Sequence, residues 1–332
     1  MPSQIPFNGP SRRSILGAAG AMVAASVAPV ALAQQRSGVQ AAQPPAQSGG
    51  EELLMRTIPS SGEKIPSIGL GTSRQFDADP NDQAAMEELK AALQAFLDNG
   101  GTVVDSSPMY GRAEEVVGKL STEMGINDRL WLATKVWTQR GQNGPEQMQE
   151  SMKLMGREGG PIELMQVHNL VDIEEHLPRL KEMKESGTYK YIGITSSARN
   201  VIPELTEYAE GKKGDGVKLD FIQLPYNVEL REAEERLLPA CRENGVATMI
   251  NVPFGSGRIF RELGDKPLPD HAKEWADSWA QAMLKFSLAN EAVTVIIPGT
   301  SDPKHAIDNT NAMRGRLPTE EERRRLLEAV GA

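Results

Sequence analysis

The feature that most constrains the fold of this chain is a repeated alternation of short apolar segments with longer amphipathic segments between residues 67 and 313. Short apolar runs bounded by turn residues predict β-strands, and the amphipathic segments predict helices. The eight predicted strand–helix pairs are 67–72 with 82–99, 102–105 with 112–124, 130–136 with 145–155, 163–168 with 173–186, 191–195 with 201–210, 221–224 with 232–244, 247–252 with 271–290, and 294–297 with 304–313. Alternation of this kind predicts an α/β fold, and eight pairs predict a (β/α)8 TIM barrel.

A short β-hairpin is predicted ahead of the barrel, with strands at 56–58 and 64–66 and a turn at Ser61-Gly62. The chain has 332 residues, of which 39% are hydrophobic and 24% charged, enough for one large buried core. We therefore predict one main domain at residues 55–332. Residues 34–54 are predicted to be a flexible linker, because most of this segment is poor in apolar residues and contains Pro44-Pro45 and Gly49-Gly50.

Polar side chains follow three consecutive predicted strands. Asp105, Lys135 and His168 each close an apolar run, and Tyr110 lies in the loop after Asp105. The carboxyl ends of parallel strands meet at one edge of a barrel, so we expect these four side chains to lie together. Taken singly, such residues are usually caps, solvated charges or packed aromatics, and only their combination favours chemistry.

The combination predicts a proton relay. A phenol is a weak acid, and an adjacent ammonium such as Lys135 is expected to lower the pKa of Tyr110. A carboxylate such as Asp105 would fix the lysine, and the imidazole of His168 would orient a substrate carbonyl beside the phenol.

From about residue 55 to 313 the sequence resembles the aldo-keto reductase superfamily. The motifs that carry the resemblance are Ile68-Gly69-Leu70-Gly71-Thr72, Asp105 followed by Tyr110-Gly111, Thr134-Lys135, Gln166-Val167-His168, Ile192-Gly193-Ile194-Thr195-Ser196, Gln223-Leu224-Pro225-Tyr226-Asn227 and Ile297-Pro298-Gly299-Thr300. The resemblance implies an enzyme whose catalytic residues are Asp105, Tyr110, Lys135 and His168. It implies reversible reduction of aldehydes or ketones by a nicotinamide dinucleotide, with no metal.

The resemblance also implies a set of cofactor-binding residues at the barrel mouth: Gly71, Thr72, Asp105, Ser196, Ser197, Gln223, Pro253, Phe254, Gly255, Thr300, His305 and Asn309. The carboxamide of the nicotinamide is expected at Ser196, Ser197 and Gln223, although Ser197 stands where the family has Asn. The position of the family's stacking aromatic aligns with Val252, and Phe254 is the alternative. Met109, Trp137 and Phe254 are candidate walls of the substrate pocket.

The phosphate end of the implied cofactor site departs from the family. Gly299 and His305 stand where many members have the basic residues that hold a 2′-phosphate. Thr300, Ser301 and the helix start at Pro303 can still hold an anion through hydroxyl and backbone donors. Because these donors remain, we predict that NADP(H) rather than NAD(H) is the cofactor.

Two other classes of function are weighed against the reductase. A sensor or binding subunit that keeps the nucleotide site without turnover is the alternative, and the intact tetrad argues against it. A metal-dependent hydrolase would need clustered ligands, whereas only one of the four histidines, His168, ends a predicted strand. The net charge of -9 argues against nucleic-acid binding, and Arg323-Arg324-Arg325 after three glutamates predicts a solvated helix face.

The amino terminus resembles a twin-arginine export signal. Arg12-Arg13 precedes an Ala-rich apolar stretch, residues 16–30, that ends in Ala31-Leu32-Ala33, and cleavage is predicted after Ala33. The stretch is too short and too rich in Gly and Ala for a good membrane span, and a chance Arg-Arg in a disordered tail is the remaining alternative. We expect export in folded form by the Tat translocon to a periplasmic location, without a stable membrane anchor. The lone Cys241 is expected to be a buried thiol in an amphipathic helix.

Overall fold

The computed structural model of this chain describes residues 52–138 and 143–332. These residues fall within one compact unit that spans 49–332. The predicted export signal and nearly all of the predicted linker lie outside the described residues. Within the described part of the chain, no helix is long and apolar enough to cross a membrane.

Eight parallel strands form the central sheet, and a two-stranded antiparallel hairpin precedes it. The strands are β1 (Met55–Thr57), β2 (Lys64–Pro66), β3 (Leu70–Gly71), β4 (Val103–Asp105), β5 (Trp131–Val136), β6 (Ile162–His168), β7 (Tyr189–Thr195), β8 (Phe221–Pro225), β9 (Ala247–Asn251) and β10 (Val295–Ile296). Strands β3 to β10 pair in sequence order. The N–H of Gly69 donates to the carbonyl of Ile296 at 2.8 Å and that of Ile296 to the carbonyl of Ser67 at 3.0 Å, which closes the ring. The predicted (β/α)8 barrel and hairpin are confirmed.

Helices follow the strands on the outside of the barrel. They are α1 (Gln83–Asp98), α2 (Ala113–Glu123), α3 (Gly144–Leu154), α4 (Ile173–Glu185), α5 (Ile202–Ala209), α6 (Leu237–Asn244), α7 (Arg258–Leu263), α8 (Trp279–Leu288), α9 (Pro303–Asn311) and α10 (Glu320–Val330). Most predicted bounds agree within three residues. Cys241 is fully buried in α6, as expected.

Two predicted helices begin later than the sequence suggested. Helix α6 starts at Leu237 rather than at 232, because Arg236 has non-helical torsion angles and Pro239, which lacks an N–H, is tolerated only in a first turn. Helix α8 starts at Trp279 rather than at 271. Ser278 is extended and its hydroxyl accepts from the N–H of Gln281, so Ser278 is the N-cap of the helix. The residues before it lie outside the helix. Helix α7, inserted after β9, was not predicted.

The hairpin closes the amino-terminal end of the barrel. Ile58 and Ile65 are buried in one cluster with Val103, Trp131 and Phe221, which stand at the starts of their strands. A second and larger apolar cluster fills the space between strands and helices. The carboxyl ends of the strands therefore remain as the open end of the barrel, where polar side chains can face a cavity.

The C-terminal helix α10 is held to the barrel by Arg323. Its guanidinium donates to the hydroxyl of Tyr226 at 2.9 Å and to Glu234 at 2.5 Å, and it lies 4.3 Å from the ring centre of Phe286. The prediction of a solvated face is therefore wrong for Arg323, which is 9% exposed. Arg323 faces the barrel because of its position on the helical turn. The next residue, Arg324, points to solvent and pairs with glutamates of its own helix.

Replacing Arg323 tests whether this contact fixes the helix. We expect Arg323→Ala to lower the free energy of unfolding by about 2 to 3 kcal/mol, because it leaves a partly buried carboxylate unpaired. The matched control Arg324→Ala removes only exposed pairs, and we expect a change below about 1 kcal/mol. Urea unfolding of both variants measures the difference, and equal effects would contradict the assignment.

Candidate active site

A buried ion pair between Lys135 and Asp105 lies at the centre of the site. The ammonium donates to the carboxylate at 2.7 Å, and the two side chains are 0% and 2% exposed. The residues meet because β4 and β5 are neighbouring parallel strands. Lys135 also donates to the carbonyl oxygen of Ser106 at 2.6 Å. Burial is the largest single effect and lowers the pKa of Lys135, but the charges and hydrogen bonds of Asp105 and Tyr110 together outweigh it. The pKa is therefore raised, and the ammonium is retained.

The second carboxylate oxygen of Asp105 is held by side-chain amides from two further strands. Gln223 donates to it at 3.0 Å and Gln166 at 3.4 Å. The amide oxygen of Gln223 in turn accepts from the hydroxyl of Thr195 at 2.6 Å. Five consecutive strands, β4 to β8, thus contribute to one connected polar network, which fixes the position of the ion pair.

Tyr110 faces this pair from the loop between β4 and α2. Its ring centre is 4.9 Å from the Lys135 ammonium, and its ring meets that of His168 edge to face at 5.9 Å. Burial raises the pKa of Tyr110, and the lowering by Lys135 only partly offsets it. The expected effect of the lysine is present, but the net direction is opposite to the sequence prediction. The phenol therefore keeps its proton at neutral pH.

His168 ends β6 and is neutral at neutral pH. Burial, and then the nearby charge of Lys135, lower the pKa of His168 to about 3. Its Nδ1 lies 2.9 Å from the hydroxyl oxygen of Ser107. A neutral imidazole carries a single ring proton, so it can offer one hydrogen bond to a substrate oxygen.

A cavity of about 1070 Å³ opens at the carboxyl ends of the strands. It brings together most of the sequence-predicted residues: Gly71, Thr72, Asp105, Met109, Tyr110, His168, Ser197, Gln223, Pro253, Phe254, Thr300, His305 and Asn309 line it. Lys135 lies behind this lining, fully buried. The structure thus gathers the four tetrad side chains and both ends of the implied cofactor site at one opening.

Besides Lys135, three predicted residues do not line the cavity. Ser196 is one position past the end of β7, and its hydroxyl accepts from the N–H of Ala198 in the following loop. Gly255 begins the turn that leads into α7. Trp137 follows β5, and both its N–H and its carbonyl are bonded to the side chain of Gln147.

Several residues that were not predicted as site residues also line the cavity, among them Thr195, Asn251 and Arg74. Thr195 and Asn251 are the last residues of β7 and β9, and Asn251 donates to the carbonyl of Ser196 at 3.2 Å. The alternation of side chains along a strand could have identified both residues. An error of one residue in the predicted strand register changes which side chain faces the barrel mouth. Arg74 has a φ of 64° in the loop after β3, and no sequence signal predicted that turn.

The far end of the cavity lies at the start of α9. Asp302 caps this helix by accepting from the N–H of Lys304, and the hydroxyl of Thr300 accepts from the N–H of Asp302. His305 is exposed there. Among the described residues that line the cavity, Arg74 is the only lysine or arginine. No group of three His, Cys, Asp or Glu side chains in the described part of the chain is placed to hold a metal ion.

The sequence matches the model of the Aldo/keto reductase family over residues 67–325. It is 31% identical over 212 residues to the aldo-keto reductase YhdN of Bacillus subtilis, covering 58% of this chain and 60% of that protein. It is 27% identical over 230 residues to the aldo-keto reductase yakc [NADP(+)] of Schizosaccharomyces pombe, covering 64% of this chain and 66% of that protein. The matched part of this chain thus spans about two thirds or less of these two relatives.

The fold has the same architecture as solved structures. An aldo-keto reductase from Klebsiella pneumoniae, crystallised in complex with NADPH, superposes with a TM-score of 0.68 at 22% identity. The superposition covers 84% of this chain and 95% of the Klebsiella chain. The family match spans the whole barrel, including Asp105, Tyr110, Lys135 and His168, and the chain therefore belongs to the aldo/keto reductase family.

Proposed function

We propose that this protein is an NAD(P)H-dependent oxidoreductase that reversibly reduces aldehydes or ketones to alcohols. The observation that carries the proposal is the buried Lys135–Asp105 pair, set against a protonated Tyr110 and a neutral His168 at one cavity. The names of relatives support this class of reaction. They include a methylglyoxal reductase of Escherichia coli, 23% identical over 276 residues, covering 81% of this chain and 93% of that protein.

The proposed roles follow from the protonation states. Tyr110 donates its proton to the carbonyl oxygen, and the charge of Lys135 stabilises the phenolate that forms. Asp105 fixes the ammonium in place, and the single ring proton of His168 holds the same carbonyl oxygen. The reduced nicotinamide supplies the hydride when the cofactor is bound.

The cavity fits a nicotinamide dinucleotide by size and by its donors. Near the tetrad, the hydroxyls of Thr195 and Ser197 and the amide of Gln223 suit a carboxamide. At the α9 end, Thr300 and Asn309 offer polar groups to a phosphate or ribose. Arg74 can add positive charge beside phosphate and His305 a ring N–H, and we propose NADP(H) as the preferred cofactor. The name of the yeast relative carries NADP(+), and the Klebsiella structure holds NADPH, which supports this choice.

A sensor or binding subunit on the same fold is the second candidate function. The network of Gln223, Gln166 and Asp105 around the lysine is more than nucleotide binding requires, which favours turnover. A protein that binds NADPH tightly and reduces no carbonyl compound would be of this second kind.

We propose that residues 1–33 direct export of the folded protein through the Tat translocon. The support is Arg12-Arg13, the Ala-rich stretch and Ala31-Leu32-Ala33. Free reduced cofactor is not expected outside the cytoplasm, so the proposal includes loading of the cofactor before export. Nucleotide bound to protein recovered from the periplasm is the expected sign of that order of events.

Export is tested by expressing the full chain in a bacterium with a twin-arginine pathway. We expect the native chain in the periplasmic fraction, cleaved after Ala33, and we expect Arg12→Lys with Arg13→Lys to remain in the cytoplasm. The control Arg36→Lys changes the same residue type in the predicted linker and is expected to be exported normally. Periplasmic recovery of the double variant would refute this mode of export.

Catalysis is tested with NADPH and NADH oxidation against a panel of small aldehydes and ketones. We expect Tyr110→Phe to lower kcat by at least about 100-fold, because it removes the general acid, while NADPH still binds. The control Tyr189→Phe removes a buried hydroxyl that has no partner among the described residues, at the opposite end of the barrel, and we expect unchanged rates. Turnover that survives in Tyr110→Phe would overturn the assigned role.

A further inference from the structure

Ser107 connects the loop that carries Tyr110 to the ring of His168. Its carbonyl oxygen accepts from the N–H of Tyr110 at 2.9 Å, and its hydroxyl oxygen accepts from the N–H of Met109 at 3.2 Å. The same hydroxyl oxygen lies 2.9 Å from Nδ1 of His168. Ser107 is fully buried, so each of its polar atoms needs a partner within the protein.

The partners of the hydroxyl decide which nitrogen of His168 carries the proton. The N–H of Met109 can only donate, so it takes one lone pair of the Ser107 oxygen. Among the described residues, His168 Nδ1 is the one remaining partner of this hydroxyl, and so the one acceptor for its hydrogen. If Nδ1 carried the ring proton instead, a buried hydroxyl hydrogen would have no acceptor.

We infer that Ser107 is a positioning residue that fixes His168 as the tautomer protonated at Nε2. Nε2 has no hydrogen-bond partner among the described residues, and His168 lines the cavity, so the proton is offered to a bound oxygen. The other tautomer would present a lone pair to a carbonyl oxygen and repel it. The assignment of the tautomer stands by itself, and its importance for catalysis rests on the proposed carbonyl reduction.

A loss of activity alone would not separate this role from a structural one. Ser107 also holds the turn that presents Tyr110, so a variant can slow the reaction by displacing the phenol. The protonation of the two ring nitrogens is a direct readout, because a purely structural role leaves it unchanged. The sequence has four histidines, so the signals of His168 can be resolved and then identified by their loss in His168→Gln.

The experiment is long-range ¹H–¹⁵N NMR of the full chain labelled with ¹⁵N-histidine, at neutral pH. In the native protein we expect Nδ1 of His168 to be unprotonated and Nε2 to carry the proton. In Ser107→Ala, which removes the hydroxyl without adding bulk, we expect the signals to move toward a mixture of both tautomers. The matched control Ser106→Ala removes the neighbouring buried hydroxyl, which contacts Thr72, and is expected to leave the His168 signals in place.

Kinetics give the second arm of the test. We expect kcat/KM for carbonyl reduction to fall by about 10- to 100-fold in Ser107→Ala, the range seen when the partner that orients a metal-bound histidine is lost. A native His168 protonated at Nδ1 or at both nitrogens would overturn the inference, and so would an unchanged tautomer in Ser107→Ala. If the native protein reduces no carbonyl compound, the proposed function fails, while the NMR result still decides the tautomer.

Discussion

The buried ion pair of Lys135 and Asp105 is the interaction on which the rest of the site depends. Withdrawing two charges from water costs free energy that the pair recovers only if further hydrogen bonds satisfy it. Here the carbonyl of Ser106 accepts a further hydrogen bond from Lys135, and the amides of Gln223 and Gln166 donate to Asp105. Such a network is a poor way to gain stability, and its value is that it fixes a positive charge at a defined place.

That one charge acts on two neighbouring groups in ways that suit opposite tasks. It helps to lower the pKa of His168, which keeps the imidazole neutral and able to donate one hydrogen bond. It opposes the rise in the pKa of Tyr110 that burial causes, so the phenol holds its proton but can release it to a substrate. Ser107 then sets which imidazole nitrogen carries the proton, through the same turn that presents Tyr110. Acid, orienting group and charge are thus fixed by adjacent strand ends.

The sequence predicted the barrel, and it predicted that Asp105, Tyr110, Lys135 and His168 lie together, because both follow from local patterns. Apolar runs define the strands, and a polar residue at the end of such a run is visible without any knowledge of packing. The predictions that failed are those that require the direction of a side chain to be known to within one residue. Thr195 rather than Ser196 lines the cavity because side chains alternate at the strand end, and Arg323 rather than Arg324 is buried because of its place on the helix turn.

Other features had no local signal. Helix α7 and the turn at Arg74 lie in the segments after β9 and β3 and contribute residues to the cavity lining, and their conformations depend on what they pack against. The direction of the Tyr110 pKa was also missed, since a sequence shows which charge can lie near a phenol but not how deeply the phenol is buried.

The pH profile of kcat/KM for carbonyl reduction with saturating NADPH tests the assigned protonation states of Tyr110 and His168. A protonated phenol with a raised pKa and a histidine with a pKa of about 3 predict a rate that is level through the neutral range. The rate should fall only at a pH above the ordinary pKa of a phenol, because the pKa of Tyr110 is raised. A decline on the acid side near the ordinary pKa of histidine, or on the alkaline side near neutrality, would contradict the protonation states assigned to His168 and Tyr110.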